Sequence, residues 1–170
     1  MMVRAWRMAT ILLASLSMGM AFCHLLEMPA RFGWDAELWV GTTVVGEVFA
    51  LFGTVGAAIE TGAWIAAVAL ALMVRNRSGA TFITSAAGAA FLVAAFVAWW
   101  AFVFPVNAEM SGWTVASLPE NWEAWRAQWE YAHAGRAVLL LAGLGGLVLS
   151  VVLETPRERP AGEATPARAR

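Results

Sequence analysis

The chain has no lysine and one cysteine, Cys23, and only 14% of its 170 residues are charged. Each shortage excludes something. A single thiol permits no internal disulfide and no CxxC metal motif. A soluble domain carries about a quarter charged residues. With 61% apolar residues here, a water-facing globule is excluded. Disorder requires low hydrophobicity and high net charge, and the net charge is −1. That near-neutral balance also gives no basic field for nucleic acid. All eleven basic residues are arginine, which suggests a GC-rich genome and says nothing about function.

What the chain does have is long apolar runs. A bilayer core about 30 Å thick is crossed by about 20 apolar residues of helix. Four segments meet that requirement: 8–28, 48–74, 79–104 and 134–153. Strands are excluded because the runs are too long, show no alternation, and would leave an open sheet edge unsatisfied in lipid. The expected fold is all-α, an up-down bundle of four transmembrane helices in one domain, residues 1–154. A tail over 155–170, rich in Pro, Ala, Glu and Arg, is expected to be disordered. Eight arginines flank one side of the spans, and three (Arg31, Arg126 and Arg136) lie on the other. By the positive-inside rule both termini are then cytoplasmic in a multi-pass protein of the cell (inner) membrane. Arg4 and Arg7 before Ile11–Met20 imitate a secretory signal, but the cleavage site is poor and Phe22 before Cys23 does not suit a lipobox. Gly53, Gly56, Gly88, Gly143, Gly145 and Gly146 are read as packing positions that let helices approach closely.

Two outer stretches are not spans. Pro29–Gly46 carries Trp34 and Trp39. The other begins at Pro105, which is expected to end the third span because it cannot donate to the helix ladder. Ser117 to Glu120 reads as a capping box. It would open an interfacial helix that runs without a break into the fourth span. On that helix Trp122, Trp125 and Trp129 recur on one face. They suit an aromatic belt at the headgroups or the wall of a substrate pocket.

Ionisable residues inside a span are functional hypotheses by default. At 1.5 Å rise per residue, Glu60 lies about 22 Å above Arg75, and His24 and Glu27 about 25 and 30 Å above Arg7. Counted from Glu154, Arg136, His133 and Glu130 lie about 27, 31 and 36 Å up. Three helices thus put their few polar groups in one outer band. Glu47, about 42 Å above Arg75, falls outside it. His24 and Glu27 share a helix face, as do Glu130 and His133 in the opposite order.

Facing His and Glu of this kind resemble bundle sites for paired metal ions. The candidate ligands are His24, Glu27, Glu60, Glu130 and His133, for iron, zinc, manganese or copper. The two histidines are alternatively axial ligands of a haem. The same residues also read as structural ion pairs, Glu27 with Arg31 and Glu130 with Arg126, each at i,i+4. Cys23, about 100° around the helix from His24, is expected to be a small buried apolar residue.

Phe104-Pro-Val-Asn107, Trp113, Pro119-Glu-Asn-Trp122, Trp125-Arg126, Trp129, His133 and Arg136 together resemble the anthrone oxygenase-like membrane family. These are small four-helix membrane proteins, many known only as a domain of unknown function. The resemblance covers nearly the whole chain except the tail. It implies roles for Asn107, Trp122, Arg126, Trp129, His133 and Arg136. The activity it implies is oxidation of an anthrone by dioxygen to an anthraquinone. His133 or Glu130 would serve as base, and Arg136, Arg126 and Asn107 would hold the oxyanion. The chemistry would run without a cofactor or at a metal held by the His and Glu cluster. The function expected is therefore a membrane oxidoreductase of oxygenase type acting on an apolar aromatic or quinone-like molecule. The rivals are a non-enzymatic subunit or carrier with an ion-pair seam, and a haem electron-transfer protein.

Overall fold

The computed structural model describes residues 1–43 and 50–155. Glu47, the first residues of the second expected span and the tail from residue 156 lie outside the described residues. Among those described there are helices and no strand. Helix α1 spans Met2–Arg31, α2 Ala36–Thr43, α3 Phe52–Val74, α4 Gly79–Met110 and α5 Trp122–Glu154. All but α2 are long and apolar enough to cross a membrane.

The pattern of burial is that of a protein built for lipid. The side of α1 turned to its neighbours carries Thr10, Ala14, Ser17 and Ala21. Their three-and-four spacing makes a narrow seam of small residues. Large apolar residues such as Leu12, Leu16, Leu72, Ile83, Val97, Leu141 and Val152 stay exposed on the outside. Lipid offers helices no hydrophobic reason to associate, so close backbone approach and interhelical hydrogen bonds must hold the bundle. Each long helix packs on two others, α1 on α3 and α5, and α4 on α3 and α5. The Trp6 indole donates to Ala66 O at 2.9 Å, tying α1 to α3.

The tightest approach is between α4 and α5. A Cβ at Gly88 would lie 2.9 Å from Gly143 O, and one at Gly146 would lie 3.0 Å from Gly88 Cα. A Cβ at Gly143 would likewise meet Leu92 at 3.0 Å and one at Gly56 would meet Met20 Sδ at 3.3 Å, whereas one at Gly145 or Gly53 would have nothing within 4 Å. The packing role expected of all these glycines therefore holds for Gly56, Gly88, Gly143 and Gly146, and not for Gly145 or Gly53.

Two expected boundaries are corrected. Pro105 does not end the third long helix, and α4 runs on to Met110. A π turn over Trp99–Val103 precedes the proline. Its wider winding shifts the carbonyls with which the ring would collide and absorbs the missing donor. Phe102 O, in that turn, also accepts from the Gln128 side chain at 3.2 Å, which ties the turn to α5. The capping box also lies elsewhere. Thr114 and Ser117 cap a short 3-10 turn, Val115–Ser117. With the Ser117 hydroxyl engaged by Thr114, α5 begins only at Trp122 and then runs without a break to Glu154.

Pro29–Gly46 contains α2, whose first turn is closed by Asp35 Oδ1 accepting from Leu38 N–H at 2.9 Å. Trp39 and Val40 of α2 are fully buried against Val103, Val106, Met110, Trp113 and Trp129. Trp34, Trp99, Trp122 and Trp125 pack around that cluster. The result is an aromatic cap over the end of the bundle where the polar band lies.

Candidate functional site

Beneath this cap lies a cavity of about 470 Å³. Four helical turns aim side chains into it. α1 contributes His24 and Glu27, with Arg31 one turn further on. α3 contributes Glu60, α4 Asn107, and α5 Trp129, His133 and Arg136. Phe52, Trp99 and Phe104 complete an aromatic wall.

The two imidazoles meet at the centre. Their ring centroids are 4.2 Å apart and the planes are tilted by 33°. The Trp129 indole stands edge-on to both, 4.3 Å from His133 and 5.1 Å from His24. Its Nε1 donates to Asn107 Oδ1 at 2.8 Å. An indole N–H can only donate, so the Asn107 oxygen is fixed on Trp129 and the amide NH₂ is left as the free donor.

The charges are largely paired. Arg136, 5% exposed, donates Nη2 to both oxygens of Glu60 at 2.5 and 2.6 Å and Nε to Ala95 O at 3.1 Å. Its Nη1 lies 3.3 Å from His133 Nδ1. Guanidinium only donates, so His133 Nδ1 accepts, and the neutral ring carries its hydrogen on Nε2. Arg31 pairs with Glu27, and its guanidinium stacks over Trp129 at 5.2 Å. Among the described residues, two arginines and two glutamates thus line the cavity and balance one another.

Several expected site residues lie elsewhere. Glu130 does not line the cavity. Its side chain is wholly buried behind Arg31, whose Nη1 is 3.7 Å away. Neither of its oxygens has a hydrogen-bond partner among the described residues. Arg126 is also outside. It does not pair with Glu130 but donates to the carbonyls of Arg31 and Trp34 at 3.1 and 2.8 Å. There it closes the C-terminal end of α1, where a cation is favoured by the free carbonyls. Only 6% exposed, it is a clamp between α5 and α1. Trp122 and Trp125 pack in the aromatic cap, and of the expected indole row only Trp129 reaches the cavity. Cys23 is exposed and lines the cavity, contrary to the expectation of a buried residue.

The expected metal set does not come together. Among the described residues no three His, Cys, Asp or Glu form a group that could hold a metal ion. The reason is the arginines: Glu60 belongs to Arg136 and Glu27 to Arg31, and Glu130 lies behind Arg31. Axial haem ligation does not fit either, because rings 4.2 Å apart leave no space between them for a macrocycle.

Arg31, Trp34, Trp99 and Phe104 were missed as lining residues. Arg31 carried a signal, since it follows Glu27 by four residues and extends the His24–Glu27 face by one turn. No family model, curated protein or solved structure matches the chain.

Proposed function

We propose that the chain is an integral membrane oxidoreductase of oxygenase type that takes a neutral, apolar aromatic or quinone-like molecule into the His24–His133 cavity. The observation that carries the proposal is the pair of imidazoles facing one cavity beside a free amide donor and an aromatic wall. Internal pairing of the lining charges disfavours an ionic ligand, and the aromatic wall favours a planar one.

An anthrone-like compound fits this chemistry. Its CH₂ is acidic because the carbanion is an extended phenolate. With His133 Nδ1 engaged by Arg136, the free imidazole lone pair belongs to His24, which we assign as the base. His133 Nε2–H and the Asn107 amide are the donors for the oxygen on which negative charge collects. Dioxygen is the oxidant. The CH₂ loses both hydrogens, one oxygen atom becomes the new carbonyl, and the other leaves as water.

The finer topology belongs to the same proposal: an up-down bundle with both termini cytoplasmic and the aromatic cap at the outer interface. The arginine distribution supports it. Reporter fusions near Ser111 and at the C-terminus decide it, and an outward C-terminus overturns it.

The activity test is oxygen uptake and anthraquinone absorbance with an anthrone and detergent-purified protein, measured above the spontaneous rate. We expect His24→Ala to lower turnover by about 10²–10⁴-fold. His133→Ala should lower it by about 10²–10³-fold. In His133→Ala the bundle should lose about 1–3 kcal/mol, because Arg136 Nη1 is left without its acceptor. Binding of the compound without any turnover would overturn the oxygenase reading. The paired state of Glu27 and Glu60 would then favour the second reading, a non-enzymatic carrier.

A further inference from the structure

The opposite end of the bundle holds a second, larger space that the proposed reaction does not use. It is a groove of about 890 Å³ where the start of α1 meets the end of α5. Its polar wall is Arg4, Arg7, Arg77 and Glu154. Its apolar wall includes Met8, Ile11, Leu12 and Val151.

Among the described residues the charge there is unbalanced. Glu154 pairs with Arg7 through one oxygen and with Arg77 Nη1 through the other, at 2.5 Å for the latter. Two guanidiniums share one carboxylate, and exposed Arg4 adds a further positive charge. Arg7 is itself nine-tenths buried, and its Nε has no hydrogen-bond partner among the described residues. A buried guanidinium N–H left unpaired is costly unless a ligand takes it up. Arginine groups of this kind also suit phosphate oxygens.

We propose that this groove binds the phosphodiester headgroup of an anionic phospholipid, with an acyl chain along the Met8–Ile11–Leu12 wall. Two features favour a lipid over a soluble phosphate. The apolar wall is continuous with the arginines, and the groove sits at the end of membrane-spanning helices, where basic pockets meet the headgroup layer.

The test is native mass spectrometry of the full-length protein in detergent, with dioleoylphosphatidylglycerol against dioleoylphosphatidylcholine. The anionic lipid should be retained preferentially. A basic residue near the surface is worth about 1 kcal/mol toward anionic lipid, or about five-fold in affinity. Arg4→Gln should therefore lower retention about five-fold, and Arg4→Gln with Arg77→Gln roughly 25-fold. Both side chains are substantially exposed, so the bundle should keep its melting temperature. Equal retention of the two lipids overturns the proposal, as does a double variant that still holds the anionic lipid like the wild type. If inorganic phosphate at millimolar concentration displaces the lipid completely, the groove is a soluble-anion site and the lipid assignment falls.

Discussion

Removing the Glu60 carboxylate tests how the charges of the cavity are held. Arg136 is 5% exposed, and Glu60 supplies the only carboxylate within salt-bridge distance of it among the described residues. In Glu60→Ala the guanidinium keeps Ala95 O and His133 Nδ1, both neutral. Stranding one partner of a buried pair costs about 3–5 kcal/mol. Glu27→Ala is the comparison. That carboxylate also pairs with an arginine, but its side chain is 51% exposed. Glu130 would remain 3.7 Å from Arg31 as a second counter-charge. An exposed pair is worth about 0–1 kcal/mol.

The two variants contain the same substitution and should differ by about 2 kcal/mol or more. For a chain of this length, Glu60→Ala should melt roughly 6–20 °C below wild type. Glu27→Ala should stay within about 4 °C. Thermal unfolding in one detergent, followed by circular dichroism, reads both. Replacing both members, Glu60→Leu with Arg136→Leu, should recover most of the loss, since apolar substitutes for a buried pair are often neutral or stabilising. Equal melting of Glu60→Ala and Glu27→Ala would refute the reasoning. It would mean that Arg136 finds water or another counter-charge as readily as Arg31 finds Glu130.

Three further outcomes follow from the packing. Gly88→Ala should destabilise by about 1–3 kcal/mol, because its Cβ meets the α5 backbone at 2.9 Å. Gly145→Ala, with nothing within 4 Å, should be neutral or up to about 1 kcal/mol more stable; the opposite order in melting would refute the α4–α5 contact. Gly53 lines the cavity with no atom within 4 Å of an added Cβ, so Gly53→Leu should occlude ligand binding, measured by indole fluorescence quenching, with little change in melting. Unimpaired binding in Gly53→Leu would put the ligand elsewhere. Cys23, the chain's single thiol, should react with a maleimide and be protected by a bound apolar aromatic; a labelling rate indifferent to saturating ligand would separate Cys23 from the binding site.

What could be read from the sequence was set by one dimension, the rise along each helix. Glu60, His24, His133 and Arg136 were assigned similar heights, and they now line one cavity. Rotation about each helix was less legible. Trp122, Trp125 and Trp129 share a face, yet only Trp129 reaches the cavity, because α2 brings Trp39 in to cover the others. No periodicity within α5 could reveal a partner supplied by another segment. Arg126 was matched to Glu130 by i,i+4 spacing. It turns instead to the carbonyls that end α1, which sequence spacing does not encode. Pro105 misled for a local reason: the rule that proline ends a helix assumes α winding, and the π turn over Trp99–Val103 removes that assumption.

The cavity exists where the small-residue seam no longer has a partner to fill it. Along the lower bundle, Ala14, Ala67, Leu70, Leu92, Leu140 and Leu147 are buried together in one apolar core. Higher up, Ser17, Ala21, Gly53 and Gly56 continue the small-residue pattern. There, however, the facing positions on α5 are His133 and Arg136, held by hydrogen bonds rather than by packing. Arg136 is tethered to Glu60 and Ala95, and His133 is fixed by Arg136 and meets the Trp129 indole edge-on. Those tethers hold the polar groups against the wall and stop them from collapsing into the free space. A seam of ion pairs that served stability alone would gain by closing over that volume, since each buried pair is at best a small net contribution. An open, aromatic-lined space maintained by paired charges is what binding an apolar molecule beside polar donors requires. The same pairing that occupies Glu27 and Glu60 leaves the two imidazoles facing the cavity, as the proposed reaction requires.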